Sequence, residues 1–202
     1  TVFMFLAGTN ISLLYYLLLC RPRMIWKSEE FRTYMFVILV ASVLLTLMLF
    51  GQGVDVGKSA EYSLFQVVST ISTSGYYISM PQGWMKVIPL FLFMLMFFGA
   101  CSGSTGGGIK IARIMILFKY VRNQFVIMLH PRAVAPVKID GKVIKMDYIN
   151  KIFAFLFMYF IFMVSGAFVL MCCGFGLSDS MAVVSANIAN IGPVIDTMGA
   201  SW

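Results

Sequence analysis

Four apolar stretches decide what this chain can fold into. They run from Val2 to Cys20, Tyr34 to Phe50, Trp84 to Gly99 and Ile152 to Cys173. A helix rises about 1.5 Å per residue, so roughly 17–25 apolar residues cross a hydrocarbon layer of about 30 Å. The first, second and fourth stretches reach that length alone. The third reaches it only if it resumes at Ile111, beyond a glycine-rich break. Of the 202 residues, 60% are hydrophobic and 11% charged, with a mean hydropathy of +0.91. A soluble domain of this length needs more charge to cover its surface. An all-α integral membrane fold is predicted. Because Val2 to Cys20 reads as the second half of a longer unit, the chain is expected to be a piece of a larger membrane protein.

Two further segments, Ala60 to Ser72 and Ser178 to Ile188, are apolar but too short to span. Each follows a spanning stretch and reads as re-entrant. Charge orients the whole. If the first stretch exits to the cytoplasm and the rest alternate, the cytoplasmic cations are Arg21, Arg23, Lys27, Arg32, Lys110, Arg113, Lys119, Arg122, Arg132, Lys138, Lys142, Lys145 and Lys151. Only Lys58 and Lys86 remain outside, 13 against 2 of the 15 basic residues. That asymmetry is the positive-inside pattern. It accounts for a pI of 9.3 without a nucleic-acid partner. Outside, Asp55, Glu61, Asp179 and Asp196 face those two lysines. They are either solvated loop carboxylates or a weak negative mouth that concentrates cations.

The chain repeats itself. Val67 to Tyr76 (VVSTISTSGY) resembles Val183 to Pro193 (VVSANIANIGP) with one residue inserted, and Gly75 and Gly192 lie 192 − 75 = 117 residues apart. Each copy follows a spanning stretch, an acidic external turn and a half-length apolar segment. That is the pattern of a duplicated membrane unit. A short helix entering halfway aims its C-terminal carbonyls, and the negative end of its dipole, at the membrane centre. A chain climbing back in extended form can then replace an ion's water with backbone carbonyls. Glycine supplies the torsion angles that side chains forbid. Non-helical backbone is tolerable at that depth only where it lines a hydrated cavity.

Gly99-Ala100-Cys101-Ser102-Gly103-Ser104-Thr105-Gly106-Gly107-Gly108-Ile109-Lys110 interrupts the third stretch. Gly103 and Gly108 have the separation of a phosphate-binding loop. That motif needs Lys directly after the second glycine, followed by Ser or Thr, and here Ile109 intervenes and Ile111 follows. Nucleotide binding is excluded there. So many glycines and hydroxylated residues cannot hold a helix, and the backbone must unwind within the membrane. The hydroxyls of Ser102, Ser104 and Thr105 are expected to face the hydrated cavity. Lys110 and Arg113 could set the loop's position, or serve only as topological charges.

On these residues the chain resembles the Trk/Ktr/HKT superfamily of potassium transporters, whose members look like four fused helix–pore loop–helix units with one filter glycine per copy. Thr73-Ser74-Gly75-Tyr76 is similar to a third-repeat filter, and Asn190-Ile191-Gly192-Pro193 to a fourth. The resemblance covers essentially the whole chain. It implies residues 1–20 as the last transmembrane helix of the preceding repeat, 21–33 as a cytoplasmic linker, and 34–127 as the third pore repeat. Residues 128–151 would then be a cytoplasmic loop and 152–202 a truncated fourth repeat. It implies K⁺ held by Ser72, Thr73, Ser74 and Gly75 and by Ala189, Asn190, Ile191 and Gly192. It also implies an intramembrane gate formed by Ser102, Gly103, Ser104, Thr105, Gly106, Gly107, Gly108 and Lys110. The expected assembly is a homodimer in the cell's inner membrane, surrounded by lipids and resting on a cytoplasmic nucleotide-binding regulatory subunit of the TrkA/KtrA type. The basic face around Lys119, Arg122, Lys138 and Lys142 would meet that subunit or anionic lipid. The alternatives are a sodium-selective or mixed K⁺/Na⁺ transporter of the same superfamily, or a broken-helix secondary transporter.

Other chemistry has little foothold. The four cysteines, Cys20, Cys101, Cys172 and Cys173, form no CxxC pair and read as buried free thiols. His130 is the single histidine and builds no transition-metal site. No Ser/His/Asp set or paired carboxylates occur in the apolar spans, so neither an enzyme nor a covalently bound cofactor is expected.

Overall fold

The chain is described by a computed structural model over residues 1–19, 22–76, 87–130 and 136–192. Cys20, Arg21, Trp84, Lys86, Arg132, Pro193 and Asp196, on which parts of the sequence reading rest, lie outside the described residues. Among the described residues the structure is helical apart from one small hairpin.

Helix α4 (Glu29–Phe50) is the frame for the rest. Ser28 caps it, its Oγ accepting from the Phe31 N–H at 3.4 Å, and Glu29 and Glu30 sit in the first turn, where the helix dipole favours acids. Its 22 residues give about 33 Å of helix, enough to span. Tyr34, Ile38, Ala41, Leu45 and Leu49 form its buried stripe. The other side exposes Phe36, Leu39, Val43, Leu47 and Phe50. Helix α8 (Met146–Cys172) is the second long span, and only 22% of its most apolar window is buried. So much exposed apolar surface on two long helices suits a lipid environment rather than water.

Helix α5 (Val56–Ile71) begins at Asp55, whose carboxylate accepts from the Gly57 N–H at 3.2 Å. It packs Val67, Val68 and Ile71 against the α4 stripe and against Ile88, Leu92 and Leu95 of helix α6 (Val87–Met96). Thr46 and Ser63 share a hydroxyl hydrogen bond of 2.5 Å across the α4–α5 contact. Helix α7 (Ile111–Leu129) resumes after the glycine-rich break. Strands β1 (Lys138–Ile139) and β2 (Lys142–Val143) pair antiparallel around Asp140-Gly141. Both turn residues have positive φ (47° and 77°), as a two-residue hairpin of this hand demands. The hairpin sits under the start of α4: Asp140 Oδ1 accepts from the Glu29 N–H at 2.7 Å, and Lys119 pairs with Glu29 and donates to the Lys138 carbonyl at 2.8 Å. Helix α9 (Leu177–Ile188) follows α8 after a short turn. At about 24 Å and 18 Å, the 16-residue α5 and the 12-residue α9 do not span the membrane.

Several expected boundaries shift. Residues 1–20 are not one continuous helix: α1 (Val2–Ala7) and α2 (Ile11–Leu18) are separated at Gly8-Thr9-Asn10. Local side chains favour the break without deciding it. The Thr9 hydroxyl folds back onto the Leu6 carbonyl at 2.6 Å, and the Asn10 carboxamide caps the Ser12 N–H at 2.8 Å. A side chain at Gly8 would also strike the Tyr34 hydroxyl. The 21–33 linker contains helix α3 (Pro22–Lys27) and the first turn of α4, so the second span starts at 29 rather than 34. The 128–151 loop gives up its ends to α7 and α8 and holds the hairpin between them. Of the thiols, Cys101 is buried as expected, whereas Cys172 and Cys173 are exposed on this chain, because the last turn of α8 leaves the packed region.

Candidate functional site

Helices α5 and α9 end in the same way. At the end of α5, the N–H groups of Ser72, Thr73 and Ser74 donate to the carbonyls of Val68 (2.9 Å), Thr70 (3.2 Å) and Ser69 (3.0 Å). At the end of α9, Ala189, Asn190 and Ile191 donate to Ser185 (2.9 Å), Asn187 (3.0 Å) and Ala186 (2.9 Å). Every donor and acceptor is offset by the same 117 residues. The torsions match as well: Thr73 and Asn190 have φ of 55° and 57°, and Gly75 and Gly192 have φ of 71° and 83°. This is a helix C-cap closed through a left-handed residue. The repeat is therefore ungapped. Val67-Val68 corresponds to Val184-Ser185 rather than to Val183-Val184, and the inserted residue of the sequence alignment disappears.

The two bends meet. A Cβ built on Gly75 would fall 1.9 Å from the Ile191 carbonyl oxygen. Glycine is required there twice over, by its positive φ and by that contact. Gly192 has the positive φ but, among the described residues, no atom within 4 Å of its would-be Cβ. Left-handed Thr73 is costly for a β-branched residue. Its Oγ1 accepts from the Gly107 N–H at 2.7 Å, which holds it in place. The Ser69 hydroxyl donates to the Tyr76 carbonyl at 2.6 Å, tying the outgoing chain back to its helix. Because these caps direct their N–H groups back onto residues 68–70 and 185–187, the next carbonyls are free. Among the described residues, nothing donates to the carbonyls of 71–75 or 188–192. Such groups, on non-helical backbone between helix ends, suit a cation that sheds water.

The glycine-rich segment closes on itself below the bends. Gly99 and Lys110 lie side by side, with the Gly99 N–H donating to the Ile109 carbonyl at 2.7 Å and the Ile111 N–H to the Ala100 carbonyl at 3.2 Å. Between them the chain reaches three neighbours. The broken α1–α2 segment takes Cys101 N–H to Gly8 carbonyl at 3.0 Å, Ile11 N–H to Gly103 carbonyl at 3.2 Å and Thr105 Oγ1 to Ala7 carbonyl at 3.1 Å. Helix α4 supplies the Glu30 carboxylate, which accepts from the Ser102 N–H. Both bends are touched: a Cβ on Gly106 would meet Thr73 Oγ1 at 2.9 Å and the Ser72 carbonyl at 3.0 Å. One on Gly107 would meet the Ala189 carbonyl at 2.4 Å. The Lys110 ammonium donates to the Gly106 carbonyl, to Ser104 Oγ at 3.2 Å and to the Ser104 carbonyl at 3.5 Å.

One expectation changes here. The hydroxyls of Ser104 and Thr105 are used inside the protein, on the carbonyls of Cys101 (2.6 Å) and Ala7, rather than on a hydrated cavity. Unwound backbone at this depth must satisfy its polar groups, and the loop does so against α1, α2, α4, Thr73 and itself. The Arg113 guanidinium lies 4.1 Å over the Phe155 ring. Sequence reasoning missed Glu30 and the Gly8–Asn10 break. A carboxylate at the edge of an apolar span and a Gly-Thr-Asn within one were the available signals.

Comparison with known proteins places the chain in a family. The family described as "TrkH: Cation transport protein" matches residues 32–197. The Trk system potassium uptake protein TrkH of Salmonella typhimurium is 29% identical over 195 residues, covering 95% of this chain and 40% of that protein. The Escherichia coli protein TrkG is 30% identical over 193 residues, covering 94% and 40%. The crystal structure of the potassium transporter TrkH from Vibrio parahaemolyticus superimposes with a TM-score of 0.89 at 27% identity, over 95% of this chain and 42% of that one. The chain thus spans about two fifths of the relatives it matches. With the family match extending across both bends and the loop between them, the chain belongs to the TrkH family of cation transport proteins.

Proposed function

We propose that this chain contributes two of the pore segments through which a longer membrane protein takes up potassium. The observation that carries the reading is the pair of superposable helix caps, in contact through Gly75 and Ile191, each followed by carbonyls with no partner among the described residues. In this reading Ser72 to Gly75 and Ala189 to Gly192 are selectivity-filter residues and K⁺ is the cargo. The relatives are named as potassium uptake proteins, which favours K⁺ over Na⁺. The step is physical, with no bond made or broken. Dehydration of the ion is offset by carbonyl dipoles held at fixed positions, and the C-terminal ends of α5 and α9 add favourable field.

The loop from Ser102 to Gly108, fastened by Lys110, is the gate of this pore. It lies against Ser72 and Thr73 of one bend and Ala189 and Asn190 of the other, so its position governs the path beneath both. The complete protein works as a homodimer in the inner membrane with a cytoplasmic nucleotide-binding regulatory subunit. Movement of that subunit would reach the loop through the Glu30 end of α4 and the Lys119–Glu29 contact with the hairpin. The test is ion flux by the full-length protein in vesicles, with K⁺ and Na⁺ compared. Preference for K⁺ that is lost in Gly75→Ala supports the filter. No ion flux in wild type, or Na⁺ carried in preference to K⁺, would overturn the potassium reading.

A further inference from the structure

Helices α4 and α7 leave a groove of about 750 Å³ between them. Each helix turns one continuous stripe into it. From α4 come Glu29, Arg32, Thr33, Phe36 and Val37; from α7 come Ile111, Ile114, Met115, Phe118, Lys119 and Arg122. The spacings of three and four residues keep each set on one face. The helices meet as Glu29 with Lys119 and Thr33 with Met115, so the apolar residues of both stripes lie towards Ile111 and the cations towards Arg122. Phe36 and Phe118 are 66% and 75% exposed, so the chain itself does not fill the groove. Lys119 is paired with Glu29. The Arg32 and Arg122 side chains make no hydrogen bond or ion pair among the described residues. Three cations, Arg32, Lys119 and Arg122, thus stand against the one carboxylate of Glu29 at the groove mouth, a net charge of +2.

We propose that this groove binds one phospholipid with an anionic headgroup, its phosphate between Arg32 and Arg122 and an acyl chain against Phe36, Ile114 and Phe118. Charge complementarity selects the headgroup. Length selects the leaflet: the eleven residue steps from Ile111 to Arg122 rise about 16–17 Å, half of a ~30 Å hydrocarbon layer. An acyl chain from the leaflet at the basic side would run from the arginines to the level of the loop. Arginine suits the mouth, since its stem lies along apolar surface while the guanidinium reaches the headgroup and holds phosphate with two parallel bonds. The proposal rests on the membrane-spanning reading of α4 and not on the identity of the ion conducted. Because Phe98 and Ile111 flank the loop, the bound lipid would sit beside it.

The test uses the full-length protein that contains this chain, delipidated in mild detergent and titrated with phosphatidylglycerol or phosphatidylcholine under native mass spectrometry. Wild type is expected to take up one phosphatidylglycerol in preference to phosphatidylcholine. Each arginine near an anionic headgroup contributes about fivefold, so R32Q/R122Q should weaken phosphatidylglycerol binding by roughly 25-fold and leave phosphatidylcholine unchanged. Both arginines are on the surface, and a thermal melt checks that the variant stays folded. In a second measurement, a fluorophore on Phe118→Cys should be quenched by acyl-brominated phosphatidylglycerol in vesicles, and less so in the arginine-free background. Equal phosphatidylglycerol binding by wild type and R32Q/R122Q overturns the proposal. So does a label at 118 that brominated lipid cannot reach, since the groove is then filled by another part of the protein.

Discussion

Replacing Gly107 by alanine places a methyl group where the structure has room for none. The new Cβ would lie 2.4 Å from the Ala189 carbonyl oxygen and 2.8 Å from Asn190 Cβ, about 1 Å inside ordinary contact. Relief comes most easily from the loop, because the bend is fixed by its own cap hydrogen bonds. Overpacking of this kind costs about 1–3 kcal/mol. Withdrawal breaks the Gly107 N–H to Thr73 Oγ1 bond in wild type and variant alike, so that bond does not enter the difference. The seated loop thus loses about 1–3 kcal/mol against the withdrawn one, a shift of roughly 5- to 140-fold in their equilibrium. In vesicles containing the full-length protein, Gly107→Ala should raise K⁺ flux several-fold with its K⁺/Na⁺ ratio intact. Gly108→Ala is the control. It pays backbone strain at φ +68°, but its nearest neighbours stand at 3.6 Å, so the added methyl does not press on the bend. Its flux should stay within about twofold of wild type, with strain of about 1–2 kcal/mol read as lower stability. Wild-type or reduced flux in Gly107→Ala, at equal amounts of folded protein, would refute the loop's role as a gate.

Three further outcomes are expected. Gly75→Ala should abolish K⁺ preference, because its Cβ collides with the Ile191 carbonyl, whereas Gly192→Ala carries only the strain of positive φ and should do less harm in the same flux assay. Lys110→Met removes a charged donor from Gly106 and Ser104, worth about 1.5–3 kcal/mol, so flux should rise as in Gly107→Ala while the Gly75 filter still discriminates. Single cysteines at 138 and 58, in a background free of native cysteines, should label only from the cytoplasmic and external sides respectively; external labelling at 138 would invert the topology.

The register of the duplication shows how sequence and structure divide the information. Two short motifs ending in glycine, each after a half-length apolar segment, announced the repeat, but their letters aligned best with one residue inserted. The hydrogen bonds place Val67 opposite Val184 instead, because a cap is defined by which N–H meets which carbonyl and tolerates Thr73 in one copy and Asn190 in the other. Side-chain identity is a poor guide to a feature made of backbone.

Membrane residence and the positions of α4 and α8 followed from the sequence alone, since burial in lipid is set by the hydropathy of a continuous segment and needs no partner. The half-length α5 and α9 followed for the same reason, as did the unwinding at Gly99–Lys110, which the glycines impose whatever surrounds them. Only the tertiary structure decided where that unwound segment goes. Its carbonyls and N–H groups are satisfied by Gly8, Ile11, Glu30 and Thr73, residues 34 to 93 positions away in the chain, and no local pattern encodes such pairings. The break of α1 from α2 belongs with it: Gly8 and Ile11 leave helical hydrogen bonding at the point where Cys101 and Gly103 arrive to replace it. A long-range partner can make a helix break stable that local propensity leaves undecided, and that is why the first span read as continuous.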